Sequence, residues 1–132
     1  MSKFTLKLIT PSNELFSGNV SRVKTKNSLG EFEMLAHHIS FITATVPTVT
    51  VFEDENGKEH KLFTSTGVLD FSNNQLTFCC DSAELPENID LERAMKSKER
   101  AEQRLKDKKD IDVKRAELAL ARALTRIGLK NQ

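Results

Sequence analysis

All eight phenylalanines of this 132-residue chain lie before Pro86, and residues 87–132 contain none. The same boundary reverses the charge balance. Residues 1–86 carry 7 Lys/Arg against 10 Asp/Glu, whereas residues 87–132 carry 13 against 9. Alanine rises from three residues to six across it, although the second segment is much the shorter. Val, Ile, Thr and Phe suit half-buried pleated strands, while Ala, Leu, Glu, Lys and Arg suit helix. The chain therefore reads as two physical objects. Residues 1–86 form a compact β module, and residues 87–132 form a polar helical piece too thin for a core of its own.

Size and composition narrow the class further. A chain of this length supports one or at most two small domains, and the first 86 residues are enough for a single core. No apolar run approaches the ~18 residues of a membrane span. Lys7 interrupts the N-terminal stretch where a signal peptide would be unbroken and apolar, so the expected location is cytoplasmic. Cys79 and Cys80 are adjacent, so on a strand they point to opposite faces and read as buried free thiols in a reducing compartment. The net charge of +1 gives no overall pull toward nucleic acid, although the tail is locally basic.

Along the first segment, Phe4, Leu6 and Leu8 alternate with Thr5, Lys7 and Ile9, the period of a half-buried strand. Pro11-Ser12-Asn13 ends that strand, and Val20–Thr25 reads as a second one. Phe41–Phe52 is rich in Thr, Val and Ile, with a break or an edge at Pro47. Asn56-Gly57 lies between Val51-Phe52 and Leu62-Phe63 and predicts a type I′ hairpin turn. Thr66-Gly67 and Ser72-Asn73-Asn74 punctuate two more strands, the last with Leu76, Phe78 and Cys80 on one face. Short strands at close spacing, with no helix between them, predict an antiparallel sandwich.

After Pro86 the period changes. Asp90 is a good helix N-cap, with Ile89 and Ala94 placed as a hydrophobic staple. Leu91, Ala94, Lys98, Ala101 and Leu105 recur at three- and four-residue steps, the seam of a paired helix. Lys106-Asp107-Lys108-Lys109-Asp110 reads as a polar connector. The seam resumes at Val113, Ala116, Leu120, Ala123 (or Leu124) and Ile127, with Gly128 placed to stop the helix. So short a connector predicts an antiparallel αα-hairpin, with Leu91 facing Ile127 and Leu105 facing Val113. The expected class is thus α+β, an N-terminal antiparallel β-sandwich followed by a C-terminal antiparallel helical hairpin. Half of the seam is alanine and one position is lysine, so the hairpin is expected to be marginal by itself.

Four arginines of the hairpin form a constellation. Arg93 and Arg100 share a face of the first helix, and Arg122 and Arg126 share a face of the second. Antiparallel pairing sets Arg93 level with Arg126 and Arg100 near Arg122, so four guanidiniums would converge on one side. Arginine is the strongest bidentate phosphate ligand. Glu84 and Asp90 at the junction are placed to accept from an adenine amine or a ribose hydroxyl. Read by itself, such a pattern is weak, because basic positions on an exposed helix are usually a solvated face.

The junction Asp81-Ser82-Ala83-Glu84-Leu85-Pro86-Glu87-Asn88-Ile89-Asp90-Leu91-Glu92-Arg93-Ala94 resembles that of the epsilon subunits of bacterial F-type ATP synthases. Thr66–Thr77, Asp110–Leu120 and Gly30-Glu31-Phe32 are similar to further segments of that family, in the same order, so the resemblance spans essentially the whole chain. Some positions depart from it. Glu33 stands where the family has glycine, Ala36-His37 where it has Pro-Gly, and Ser40 where proline is usual. The histidine pair has no thiol or carboxylate spaced to complete a metal site, so a partner-facing or solvent-facing loop is expected there.

The resemblance implies a non-catalytic rotor subunit with no required cofactor and no metal. Its sandwich would join the gamma subunit to the membrane c-ring. Its hairpin would either fold or extend toward the alpha and beta catalytic subunits and obstruct ATP hydrolysis. It also implies a peripheral position on the cytoplasmic face of the bacterial cell membrane, without insertion. Some members of the family bind ATP, and the matching positions here are Glu84, Asp90, Arg93, Ala94, Arg100, Arg122 and Arg126. Such an ATP, with or without Mg, would be a regulatory ligand.

The main competing reading from another class is a basic-tailed nucleic-acid-binding module. It is disfavoured by the acidic sandwich, by nine acidic residues in the tail and by the absence of Tyr and Trp for base stacking. No Ser, Cys or His spacing suggests an enzyme. A simple scaffold whose hairpin never moves is the third reading.

Overall fold

Alternation of apolar and polar residues from Phe4 to Ile9 produces the first strand of a nine-stranded module, and its burial alternates residue by residue. The computed structural model describes residues 2–107 and 112–132. The strands are β1 (Phe4–Ile9), β2 (Glu14–Asn27), β3 (Gly30–Leu35), β4 (Phe41–Thr45), β5 (Thr48–Asp54), β6 (Glu59–Thr64), β7 (Gly67–Ser72), β8 (Gln75–Cys80) and β9 (Ala83–Glu84). A 3₁₀ turn at Pro86–Asn88 leads into α1 (Leu91–Asp107) and α2 (Val113–Lys130). Two compact units result, residues 1–84 and 85–132.

The strands pair in the order β4-β7-β8-β1-β2-β5-β6-β9, with β3 on β2. β2 is far longer than the expected Val20–Thr25 and serves both layers of the sandwich. Its first half pairs with β1, from Glu14 opposite Ile9 to Val20 opposite Phe4. Its second half pairs with β3 and β5, after an irregularity between Val20 and Arg22. The pairing of β1 with β8 is parallel, and the other pairings described are antiparallel. Strand periodicity shows which face a residue takes but not which way its partner runs, so the parallel pair is not visible in the sequence.

The core lies where the two layers meet. Phe4, Leu6, Leu8, Leu69, Phe71, Leu76 and Phe78 face Val23, Met34, Phe52, Leu62 and Phe63, all essentially inaccessible. Five of the eight phenylalanines are buried here, and the Phe4 and Phe71 rings sit 5.4 Å apart in a tilted pair. A buried hydroxyl chain crosses the second layer. Thr50 Oγ1 lies 2.9 Å from Thr25 Oγ1 and 2.7 Å from Thr64 Oγ1, so these polar atoms satisfy one another. Cys80 is buried, which pushes its thiol up to about 12, whereas Cys79 is exposed on the opposite face, contrary to the expectation that both are buried.

Two turns exchange the roles the sequence suggests. Asn56-Gly57 does close the β5–β6 hairpin, but only Gly57 has positive φ, at 80°. Gly57 N–H donates to Asp54 O, and Asp54 N–H donates to Lys58 O, the geometry of a type I turn followed by a left-handed residue. Asp54 decides this: its Oδ1 accepts from the amides of Asn56 and Lys58 and holds Asn56 at negative φ. The two-residue turn with both φ positive is instead Asn73-Asn74, at 52° and 58°, between Ser72 and Gln75. Gly67 is needed for another reason. A Cβ there would collide with the Cys79 carbonyl oxygen and lie 2.9 Å from Cys80 Cα.

In the second unit, Asp90 caps α1 as expected, accepting from Arg93 N–H at 3.1 Å. Asp112 does the same for α2, accepting from Arg115 N–H at 3.1 Å. The helices pack on each other through an alanine seam, with Ala94, Ala101, Ala116 and Ala123 buried. Ala123, not Leu124, takes the seam position, and Val113 and Leu124 are exposed. Gly128 does not stop the helix. α2 continues to Lys130, buries Leu129 and is capped at Asn131, whose N–H donates to Ile127 O. The expected connector overlaps the end of α1, and its residues 108–110 lie outside the described residues.

Candidate functional site

The exposed face of α1 carries a concavity of about 760 Å³ lined by Asp90, Glu92, Arg93, Lys96, Glu99, Arg100 and Gln103. Residues three, four and seven apart stack along one side of a helix, which is why this run of chain makes one surface. Asp90 sits at its upper end with one carboxylate oxygen engaged as the cap of α1. The helix N-terminus and this carboxylate stand beside Arg93, Lys96 and Arg100, three cations within two turns. Lys96 Nζ is 3.4 Å from Glu92 Oε1, an i,i+4 pair with both side chains largely exposed, so little holds it there. Arg100 Nη2 donates weakly to Ser97 Oγ at 3.3 Å.

Of the residues singled out from the sequence, Asp90, Arg93 and Arg100 are thus brought to one concavity. Lys96, Glu92, Glu99 and Gln103 join them without having been expected, although their spacing from Arg93 was legible. Arg122 and Arg126 lie half-buried on α2 and are not among the residues lining it. Ala94 is a seam residue, 4% exposed, so its part is to let the helices approach. Glu84 belongs to the other unit, in β9 opposite Phe63, and is half-buried. Among the described residues no group of three or more His, Cys, Asp or Glu side chains is arranged to hold a metal ion.

The sandwich offers surfaces of a different kind. Arg22 bridges Glu33, Glu53 and Glu59 at 3.4, 3.3 and 2.8 Å, a closed network across four strands. One guanidinium stands against three carboxylates, so the arginine is fully engaged and offers nothing to an anionic ligand. Leu29, Leu35, Ile39, Ile42 and Val68 are by contrast exposed apolar side chains, Leu29 at 94% on the β2–β3 turn. His37 adopts φ 63°, in the left-handed region that favours glycine. Its N–H donates to Asn74 Oδ1 at 2.7 Å, and Asn74 Nδ2 donates to Lys3 O, which fixes residues 36–40 against the β7–β8 turn. No helix of the described residues is long and apolar enough to cross a membrane.

Two family profiles divide the chain between them. Residues 3–86 match the ATP synthase delta/epsilon chain β-sandwich domain, and residues 87–130 match its long α-helix domain. An ATP synthase epsilon chain of Clostridium perfringens is 59% identical over 110 residues, covering 83% of each chain. One from Clostridium botulinum strain Eklund 17B is 47% identical over 127 residues, covering 96% of this chain and 95% of its own. Among solved structures, a chain of the Euglena gracilis mitochondrial ATP synthase matches with TM-score 0.79 at 22% identity, over 95% of this chain and 79% of that one. A chain of the Tetrahymena thermophila enzyme's central stalk and c-ring matches with TM-score 0.55 at 15% identity, over 67% and 70%.

Proposed function

This chain belongs to the delta/epsilon family of ATP synthase subunits, as a bacterial F-type epsilon subunit, and from that we propose how its two units divide the work. The sandwich is the docking part. It joins the gamma subunit to the membrane ring, and its exposed Leu29, Leu35, Ile39 and Ile42 suit burial against protein partners. The subunit sits peripherally on the cytoplasmic face of the membrane and carries out no chemistry itself.

The hairpin is the regulatory part. Folded, it leaves catalysis free; opened and extended, it reaches the catalytic subunits, where its basic residues meet acidic surface and obstruct ATP hydrolysis. The observation that carries this reading is the alanine seam: Ala94, Ala101, Ala116 and Ala123 are the residues buried between α1 and α2. An alanine contact contributes far less than the ~1.5–3 kcal/mol of a buried leucine, so the pair comes apart at little cost. Local elements of low stability are what switching draws on.

ATP is the proposed effector of the folded state, held by Arg93 and Arg100 on α1 with Asp90 at the helix start. Arg122 and Arg126 on α2 complete the set. A ligand that binds only the folded form stabilises it by about 2.7 kcal/mol at a hundredfold excess over its Kd. Titration calorimetry of the full chain with MgATP tests this. Binding is expected, weakened at least tenfold in Arg122→Ala and Arg126→Ala. No heat at millimolar nucleotide would remove ATP from the mechanism and leave the switch to stand on hydrolysis assays with the hairpin cross-linked shut.

A further inference from the structure

The two residues by which α2 overruns Gly128 make a contact that closes the base of the hairpin. Lys130 Nζ donates to Pro86 O at 3.0 Å, in a partly buried position, bridging 44 positions of sequence. The end of α2 packs on the Pro86–Asn88 turn, Leu129 beside it is 3% exposed, and Ile89 just after the turn is equally buried. Pro86 O also accepts from Ile89 N–H at 3.2 Å, so the lysine ties into the carbonyl that closes the 3₁₀ turn. Asn131 N–H in turn bonds Ile127 O, which keeps the final helical turn wound and Lys130 in place.

We propose that the Lys130–Pro86 contact, with Leu129 beneath it, is a latch that sets how readily the hairpin opens. The proposal rests on the switch reading above and adds the element that restrains it. Of the helix residues that are fully buried, all but Leu129 are alanines, so restraint concentrates where a buried large apolar side chain and a charge-assisted hydrogen bond occur together. That place is the base, next to the segment about which the hairpin must swing. A hydrogen bond from a charged donor is stronger than a neutral one, so an ammonium withdrawn from Pro86 O leaves that carbonyl with only its neutral bond from Ile89 N–H. Pro86 has no N–H and a fixed φ, so the acceptor is held in place while the lysine arrives or departs. Latch and nucleotide would then act on one equilibrium from different places, the ligand from the face of α1 and the lysine from the base.

The test compares Lys130→Met, Lys130→Arg and Leu129→Ala with the parent, by amide hydrogen exchange of the full chain and by ATP hydrolysis of the assembled complex. Lys130→Met should raise exchange about 3- to 10-fold throughout 91–107 and 113–130, Leu129→Ala should do at least as much, and Lys130→Arg should stay near the parent. Faster exchange confined to residues 127–132 would overturn the latch and reduce the contact to a fraying end. Faster exchange throughout with unaltered hydrolysis would uphold the latch and overturn the switch. Slower hydrolysis in Lys130→Met, restored by Lys130→Arg, would uphold both.

Discussion

Asp54 is one side chain with three duties. Its Oδ1 accepts from the amides of Asn56 and Lys58, and its Oδ2 lies 2.8 Å from His60 Nε2. The His60 ring is stacked on Phe52 at 4.8 Å, so the pair is anchored to the edge of the core. The His60 hydrogen bond, then the Lys58 amide, holds the Asp54 carboxyl below its ordinary 3.8. A carboxyl lowered by folding contributes stability that is complete above the unfolded value and is lost as pH falls through the folded one. Unfolding titrations should therefore show stability draining away below pH 3.8, and Asp54→Asn should flatten that acid limb. Asn-Gly announced a turn in the sequence, but the turn type was decided by a side chain two positions earlier. The tight two-residue turn went to Asn73-Asn74, where the Asn74 side chain is engaged outside the turn by His37 N–H and Lys3 O.

At the scale of elements, the two helix caps separate stability from ligand binding. Asp90 and Asp112 each accept a hydrogen bond from an amide three residues on, so replacing either with alanine should cost about 1 kcal/mol of hairpin stability. Asp90 also borders the α1 concavity and Asp112 does not. Thermal melts are expected to fall alike for Asp90→Ala and Asp112→Ala, while calorimetry should find nucleotide binding weakened distinctly more by Asp90→Ala. The seam of α1 was legible because its period is regular and its start is marked by Asp90. The end of α2 was not. Glycine is a good stop signal, but here Leu129 gains burial one residue beyond it, and packing outweighed propensity. The arginines were legible as pairs on single helices. Which of them share one concavity depends on how α1 and α2 are rotated, and spacing does not give that.

For the whole molecule, the phenylalanine boundary becomes a division of stability. The sandwich has its own aromatic core, while the seam of the helical unit buries mainly alanine. A fragment of residues 1–86 should melt cooperatively, and a peptide of residues 87–132 should show little helix by circular dichroism unless nucleotide is added. A peptide fully helical without ligand would contradict the weak seam. The division itself was plain in composition. The path of β2 was not, because Glu14–Phe16 carry no strand alternation strong enough to join them to Val20.

That path has a mechanical meaning. The 14 residues of β2 belong to one layer at one end and to the other layer at the other end. Force applied to one layer therefore passes to its neighbour along covalent backbone, not only through side chains sliding on side chains. Layers joined in this way resist being sheared apart, as two plies do when a single thread is sewn through both. A body placed between a turning shaft and a turning ring would yield last along the thread.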